Sequence, residues 1–404
     1  MLKTIRLLRQ HCLSSDGEIL LEVRSNPVAL PAAVNSMDPC VAVSLPVFVI
    51  HGGHDQPTVQ TGTGRARAAP TSSLHLLAQA GLVTYFGQSP CSTNIEVAPI
   101  LLQKGQKRLA LYGLGNVSDE RHLHLHLDVE GCHKDVDELN DRVPWFNVFV
   151  LHQNCATGRS STRGIPGTLL PAWLNYVVLG HEHESKPDVR RSKPVIVQPG
   201  STVATSLSAR EAKQKHAILL EIHKEQLVKH VPITLYTVRN LHVEDIILSA
   251  QSGLSQTDPE GLNKCLEDTV NDIIERQQAF FDRVVAIFRV RQPLIILRVE
   301  TTGKWQLPNP TTFGQTYIGR VASPGDMLQC YRSEKENKLR RQNAKAPFQR
   351  KASAMASQDE EGLPRSRRRG AEIVIVISDE EENTPFSVGV SEAFRRKPSP
   401  GTAE

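Results

Sequence analysis

The segment Gly180-His181-Glu182-His183 follows directly on the short apolar run Tyr176–Leu179. Two further histidine segments follow apolar runs in the same way: His51-Gly52-Gly53-His54-Asp55 after residues 46–50, and His152-Gln153-Asn154 after residues 148–151. Short apolar runs of this kind predict buried strands. Polar residues at the ends of such strands lie on loops at one edge of a sheet, where distant parts of the chain can form one site.

The residue type indicates what this site binds. His181 and His183 alternate in an extended segment, so both side chains point to one side. Neutral imidazole is a good ligand for manganese, zinc and iron ions. One histidine alone is more often an ordinary core or surface residue than a ligand, but three strand-end clusters in order make coincidence a poor explanation. The pattern predicts a metal site.

The residues around these histidines resemble a known family, the calcineurin-like metallophosphoesterases, and within it the double-strand-break repair nucleases called meiotic recombination eleven. The similarity extends over about residues 1–332. It is carried by residues 46–52, 101–105, 109–115 with 119–121, 145–147, 150–154, 180–184, 198–201, 236–239 and 320–322 with Pro324 and Asp326.

The resemblance implies a fold and a domain order. Residues 1–235 are expected to form an α/β, calcineurin-like phosphoesterase domain, a two-sheet sandwich flanked by helices that is incomplete at its N-terminal side. Strand-like runs at 216–222 and 227–234 belong to this core. Residues 236–331 are expected to form an α+β DNA-binding cap with a helical stretch at 262–290 and a strand at 293–300. Residues 332–404 are expected to be a disordered tail.

The resemblance also implies an activity and the residues that perform it. The metal ligands are His152, His181 and His183, and His54 assists the phosphate chemistry with Asp55 as its orienting partner. The family implies a manganese-dependent 3′–5′ DNA exonuclease and single-strand endonuclease that processes ends in homologous recombination and meiosis, in the nucleus. A protein phosphatase is the alternative within the superfamily, and both residues 198–201 and the cap argue against it.

The sequence departs from the family pattern at its metal motifs. The opening Asp-x-His and Gly-Asp motifs do not occur, and Gly53 stands where the Gly-Asn-His-Asp motif has an asparagine ligand. Two divalent ions about 3.5 Å apart repel by on the order of 20 kcal/mol at an effective dielectric of about 20, which bridging carboxylates normally offset. Three neutral histidines do not offset it, so we expect at most weak binding of one ion.

Two explanations of this departure remain open. Met1-Leu2-Lys3-Thr4 corresponds to the helix after the second missing motif, so the chain is either a gene model without its first exon or a catalytically inactive DNA-binding and scaffold subunit. Gly53 favours the second explanation, because a wrong start would not change an internal residue.

Several partners are implied. The amphipathic segments 1–13 and 72–80 correspond to the family's homodimer contact. The resemblance further implies DNA, the coiled-coil ATPase of the MRN complex and a nibrin-like subunit, although most of the ATPase-contacting segment is missing from the tail. In the cap, the candidate phosphate contacts are Arg239, Arg283, Arg289 and Arg291, which are equally well explained as surface charges.

Composition limits the remaining possibilities. The 404 residues are 39% hydrophobic with a net charge of +4, so DNA binding must depend on local basic patches. Seven cysteines without a CxxC pair are typical of reduced intracellular thiols. The sequence contains no apolar run of membrane-spanning length and no signal peptide.

The tail after residue 331 contains two kinds of segment. Basic clusters at 338–341 and 365–369 are typical of a nuclear localisation signal, of phosphate contacts or of a solvated linker. The β-branched run from Ile373 to Ile377, followed by acids at 379–382, resembles a SUMO-interacting motif that adds as a strand to a partner's sheet. An aggregation-prone run flanked by charges is the alternative.

Overall fold

A computed structural model describes residues 1–14, 21–25, 34–55, 72–88, 94–117, 124–127, 145–153, 170–190, 193–223, 226–284, 292–302, 305–332, 374–378 and 386–390. The chain divides into two compact units. Unit 1 comprises residues 1–205, 214–235 and 369–404, and unit 2 comprises 206–213 and 236–368.

The described residues contain four α-helices and eighteen strands. The helices are α1 (Leu2–Cys12), α2 (Ser73–Gln79), α3 (Pro259–Val284) and α4 (Pro310–Gln315). The strands are β1 (Glu22–Val23), β2 (Val47–Val49), β3 (Thr84–Tyr85), β4 (Asn94–Val97), β5 (Ile100–Lys104), β6 (Lys107–Leu114), β7 (His124–Leu127), β8 (Phe146–Leu151), β9 (Tyr176–Leu179), β10 (Lys186–Arg190), β11 (Val195–Gln198), β12 (His216–His223), β13 (Gln226–Thr234), β14 (Leu241–Ile247), β15 (Leu294–Glu300), β16 (Leu328–Tyr331), β17 (Val374–Ser378) and β18 (Phe386–Val390).

Unit 1 contains two large sheets. Among the described residues the first has seven strands in the order β1-β5-β6-β8-β9-β11-β10, and its central strands β6, β8, β9 and β11 are parallel. The second has six strands in the order β13-β12-β18-β17-β2-β3. Strands β4 and β7 form a separate parallel pair.

The main core of unit 1 combines residues from both large sheets. Phe48 of β2, Tyr176 of β9 and Ile218 of β12 belong to one cluster of buried apolar side chains. The opposite face of the seven-stranded sheet contributes Tyr112 and Phe149 to a second cluster. Because the central strands are buried on both faces, they appear in the sequence as unbroken apolar runs. The strands predicted at 148–151 and 176–179 are therefore confirmed as β8 and β9.

Both predicted amphipathic helices of unit 1 are present. Helix α1 places Ile5 and Leu8 against a cluster that includes Val47 and Val49 of β2. Helix α2 begins after Ser72, which forms a capping box with His75. Each helix also exposes an apolar side chain, since Leu2 is 85% and Leu76 62% accessible to solvent.

Unit 2 is an α+β unit with its own core. Strands β14, β15 and β16 form a parallel sheet, and Leu266 and Val270 of α3 share a buried cluster with Leu297 of β15. The predicted helix and strand correspond to α3 and β15, and residues 285–290 of the predicted helix lie outside the described residues. No helix in the described parts of the chain is long and apolar enough to cross a membrane.

The tail differs from the expectation of disorder at ten positions. Residues 374–378 and 386–390 form β17 and β18, which lie inside the six-stranded sheet between β2 and β12. Strand β17 overlaps the β-branched run at 373–377, which was expected to pair with a partner protein and instead pairs within its own chain. Strand β18 contains a serine and a glycine among its five residues, so it does not stand out in a polar segment. The basic clusters at 338–341 and 365–369 lie outside the described residues.

Candidate metal centre

The His152 and His181 segments follow β8 and β9, whose carboxyl ends lie at one edge of the seven-stranded sheet, whereas the His51 segment follows β2 of the six-stranded sheet. Strands β6, β8 and β9 are neighbouring parallel strands, and ligand sites in such sheets form beyond the carboxyl ends. The His152 amide donates to the Leu114 carbonyl at 3.0 Å, and the Gly180 amide donates to the Leu151 carbonyl at 3.0 Å. These bonds extend the sheet ladder by one residue and place His152 beside the start of the Gly180–His183 segment.

His152 and His181 form a close pair. Nδ1 of His181 lies 3.4 Å from Nε2 of His152, and the two rings are nearly perpendicular with centroids 5.2 Å apart. Two imidazole nitrogens bound about 2.1 Å from one ion at a tetrahedral angle are about 3.4 Å apart. His152 is only 3% accessible to solvent, and its Nδ1 has no hydrogen-bond partner among the described residues. The pair therefore fits the coordination of a single first-row divalent ion.

His183 is held beside this pair but does not complete a cluster of three. Its Nδ1 is hydrogen-bonded to Thr205 Oγ1, and its carbonyl accepts bonds from the Ser201 amide at 3.1 Å and from Lys215 Nζ at 3.0 Å. Across the described ranges, no three His, Cys, Asp or Glu side chains are close enough to hold one ion. The structure thus brings together two of the three predicted ligands.

The predicted catalytic residues lie on the turn after β2. His54 is exposed and Asp55 half-buried, and the Asp55 amide closes the turn on the Gly52 carbonyl at 3.3 Å. A side chain built on Gly53 would place its Cβ 3.6 Å from the Asn116 side-chain amide, an ordinary van der Waals distance. Position 53 thus has room for a side chain beside the Asn116 side-chain amide.

His51 is a buried residue of the cluster that was not among the predicted site residues. Its Nδ1 is hydrogen-bonded to the Tyr85 hydroxyl at 3.0 Å, and its carbonyl accepts from the Asn116 amide at 3.1 Å. A Cβ on Gly115 would lie only 2.0 Å from the His51 ring, so Gly115 permits the ring to occupy its position. The Gly113-Leu114-Gly115 segment at the end of β6 is visible in the sequence, but nothing in it indicates that His51 packs against Gly115.

Lys215 was also missed. Its side chain is 3% accessible, and its ammonium donates to Ser201 Oγ at 3.0 Å as well as to the His183 carbonyl. A buried ammonium that binds the backbone of His183 restricts the position of that segment. Nothing in the sequence near Lys215 distinguishes it from a surface lysine at the start of a strand.

Burial determines the protonation state of two histidines at this site, His152 and His51. It lowers the pKa of His152 to about 3, and the charges that His181, His51, His183 and His54 can carry lower it further. Burial also lowers the pKa of His51. Both imidazoles are therefore neutral near pH 7, which is the form that binds metal ions.

The lowered pKa predicts acid sensitivity. An unfolded His152 titrates near 6.5, so between about pH 6.5 and 3 the unfolded chain binds a proton that the folded chain does not, and stability falls as pH falls. From pH 7 to pH 5 we expect a loss of about 2 kcal/mol from this residue. Urea unfolding of the chain and of His152→Gln at both pH values measures it. An equal loss of stability in the unaltered chain and in His152→Gln would show that His152 does not cause the acid sensitivity.

The fold and site together define an α/β protein with a pair of histidines at the carboxyl ends of parallel strands. Curated proteins are similar in sequence to this chain. The double-strand break repair protein MRE11 of Coprinopsis cinerea is 34% identical over 364 residues, covering 83% of this chain and 48% of that protein. MRE11 of Arabidopsis thaliana is 34% identical over 84% of this chain and 47% of the relative, and human MRE11 is 34% identical over 82% and 46%.

A family model described as the Mre11 DNA-binding presumed domain matches residues 228–369. The chain belongs to the MRE11 family, and it spans about half the length of the curated relatives that it matches. Among solved structures, a 5′-nucleotidase from Staphylococcus aureus aligns with a TM-score of 0.22 and 14% identity over 56% of this chain and 58% of the other, a likeness too weak to support an argument.

Proposed function

We propose that this chain acts in double-strand-break repair as a DNA-binding protein that cleaves phosphodiester bonds at DNA ends with the help of manganese. The convergence of His152 and His181 at 3.4 Å carries the proposal. The family match supports DNA as the substrate and the relatives support the repair process. The cleavage expected of the family is 3′–5′ exonuclease and single-strand endonuclease activity in the nucleus.

The proposal assigns roles to the chain's own residues. His152 and His181 would hold one ion, and His183 lies on the following segment, which Thr205 and Lys215 fix in place. A divalent ion bound there would supply positive charge to polarise a phosphoryl oxygen. His54 lies on the exposed turn, where it can reach a phosphate oxygen, and Asp55 on the same turn is its proposed orienting partner.

The donor set fits one ion better than two. A two-metal site needs a bridging carboxylate between the ions, and the described residues offer none beside the histidine pair. This observation favours a second candidate function, a DNA-binding and scaffold subunit without catalysis. Gly53, which provides no side-chain ligand, favours the same candidate.

The two candidates differ in one result. Duplex DNA labelled at one strand is incubated with the full chain, with manganese present or chelated. Manganese-dependent shortening from the 3′ end supports the nuclease, whereas bound but intact DNA supports the scaffold. A chain that neither binds nor cleaves DNA would contradict both.

DNA binding by unit 2 should depend strongly on salt. Release of counterions from phosphates makes affinity fall with salt, so we expect at least a tenfold loss between about 50 and 200 mM. Arg239 is an exposed arginine in the segment before β14, and Arg239→Ala should lower the log–log salt slope by about 1. Fluorescence anisotropy measures the slope. Arg24→Ala, which removes an exposed arginine paired with Glu22 in unit 1, should leave it unchanged.

The partner assignments are part of the proposal. The exposed Leu2 of α1 and Leu76 of α2 are the apolar side chains that a homodimer contact would cover. Assembly with a coiled-coil ATPase and a nibrin-like subunit is proposed from the family alone. The run from Ile373 to Ile377 is a candidate SUMO contact only when it is released from the sheet, because β17 pairs with β2 along one edge and with β18 along the other.

A further inference from the structure

The second sheet of unit 1 depends on a strand pair contributed by the tail. Strand β17 pairs antiparallel with β2, β18 pairs antiparallel with β12, and β17 and β18 pair with each other. In the described sheet these two tail strands are the connection between β2–β3 and β12–β13. Neighbouring strands are about 4.8 Å apart, so β2 and β12 are separated by about 14 Å that the tail strands span.

The register places an apolar tail face on the main core. Ile375 stands opposite Phe48 of β2 and opposite Val390 of β18, and Val390 stands opposite Ile218 of β12. Residues directly opposite in antiparallel strands occupy the same face of a sheet. Phe48 and Ile218 belong to the main core cluster, so Ile375 and Val390 occupy positions on the face of that core.

The remaining tail positions follow the same alternation. Five positions lie on the core face and all are apolar: Ile375, Ile377, Phe386, Val388 and Val390. The five positions of the other face are mixed: Val374, Val376, Ser378, Ser387 and Gly389. A slip of one residue in β18 would put Ser387 and Gly389 on the core face, so the sequence of β18 specifies this register.

We propose that residues 374–378 and 386–390 are an intramolecular complement of the second sheet and that the facing edges of β2 and β12 are their binding site. Without them, the backbone groups of both edges would lack sheet partners, and unpaired edges are sites of aggregation. This role is independent of the proposed function. It also means that the β-branched run binds its own chain in preference to a partner protein.

A negative charge in β18 should weaken this complement. Ser387 stands opposite Glu221 of β12, whose carboxylate lies 3.4 Å from Lys229 Nζ. A second carboxylate in this register position repels Glu221. Ser387→Glu is therefore a mild disruption that leaves every apolar residue in place. Ser391→Glu, which adds the same charge one residue after the end of β18 in the sequence, is the matched control.

Hydrogen–deuterium exchange of the full chain tests the proposal. We expect the amides of residues 374–378 and 386–390 to exchange at least 100-fold more slowly than in an unstructured peptide. Ser387→Glu should raise their exchange rates, and those of Val47–Val49, at least tenfold, and Ser391→Glu should not. Val376→Pro removes a ladder amide and should have a larger effect in the same direction.

Two outcomes would overturn the proposal. One is unprotected exchange of residues 374–378 in the unaltered chain, with protection appearing only when SUMO is added, which would identify the run as a partner-binding segment. The other is protection of Val47–Val49 that stays the same in Ser387→Glu and Val376→Pro. The exchange of residues 374–378 in the unaltered chain is measured without any variant. The proposal can therefore be tested even if a variant fails to fold.

Discussion

Gly115→Ala should destabilise unit 1 by about 3 kcal/mol and displace His51 from the candidate metal centre. The new Cβ would lie 2.0 Å from Cε1 of the His51 ring, a distance at which one group must move. Moving the ring breaks its bond to the Tyr85 hydroxyl and overpacks a site where His51 is 5% accessible. Overpacking and a lost buried hydrogen bond each cost about 1 to 3 kcal/mol.

Gly53→Ala is the matched control, because Gly53 lies in the loop that His51 begins and has room for a Cβ. Its added Cβ would meet the Asn116 side chain at 3.6 Å, and neither glycine has a positive φ. We expect a change of less than about 1 kcal/mol for this variant. Urea unfolding measures both. Equal stabilities for the two variants would show that the ring position of His51 is not constrained as described.

Replacing His152 and His181 together by alanine should weaken manganese binding at least about 100-fold. Loss of a residue that only orients a ligand costs 10- to 100-fold in affinity, and loss of both ligands costs more. The electron paramagnetic resonance signal of free Mn²⁺ reports binding directly, so the measurement does not depend on cleavage. His11→Ala, which removes an exposed histidine of α1, should leave the affinity unchanged.

The His183→Ala variant tests whether His183 is a third ligand beside His152 and His181. Its ring is bonded to Thr205 and no cluster of three ligand side chains occurs in the described residues, so we expect a smaller loss than for either member of the pair. An unchanged affinity in the His152 and His181 double variant would place the ion elsewhere and would refute the candidate centre.

The strands that position the histidines were predictable because their pattern is local. Strand β9 matches the predicted run at both ends, and β8 and β12 match within two residues at each end. Each is buried on at least one face, so its sequence is apolar where the fold requires it. The parallel order of β6, β8 and β9 then brings His152 and His181 together, as the sequence position of each histidine after a strand suggested.

Other features depend on contacts between distant residues and left no local signal. The pairing of Gly115 with the His51 ring and the burial of Lys215 against His183 are decided by packing between segments far apart in the chain. The insertion of β17 and β18 between β2 and β12 is of the same kind. A β-branched run predicts a strand, but the sequence of the run does not state which edge it will pair with.

The most direct test of the proposed function is cleavage of a DNA hairpin by the full chain in manganese, with the His152→Ala, His181→Ala double variant in parallel. The proposal predicts cleavage by the unaltered chain, loss of cleavage in the variant, and equal DNA affinity of both proteins when manganese is chelated. Equal cleavage by both proteins would show that the histidine pair is not the site. DNA that both proteins bind and neither cleaves would contradict the nuclease and establish the scaffold function in its place.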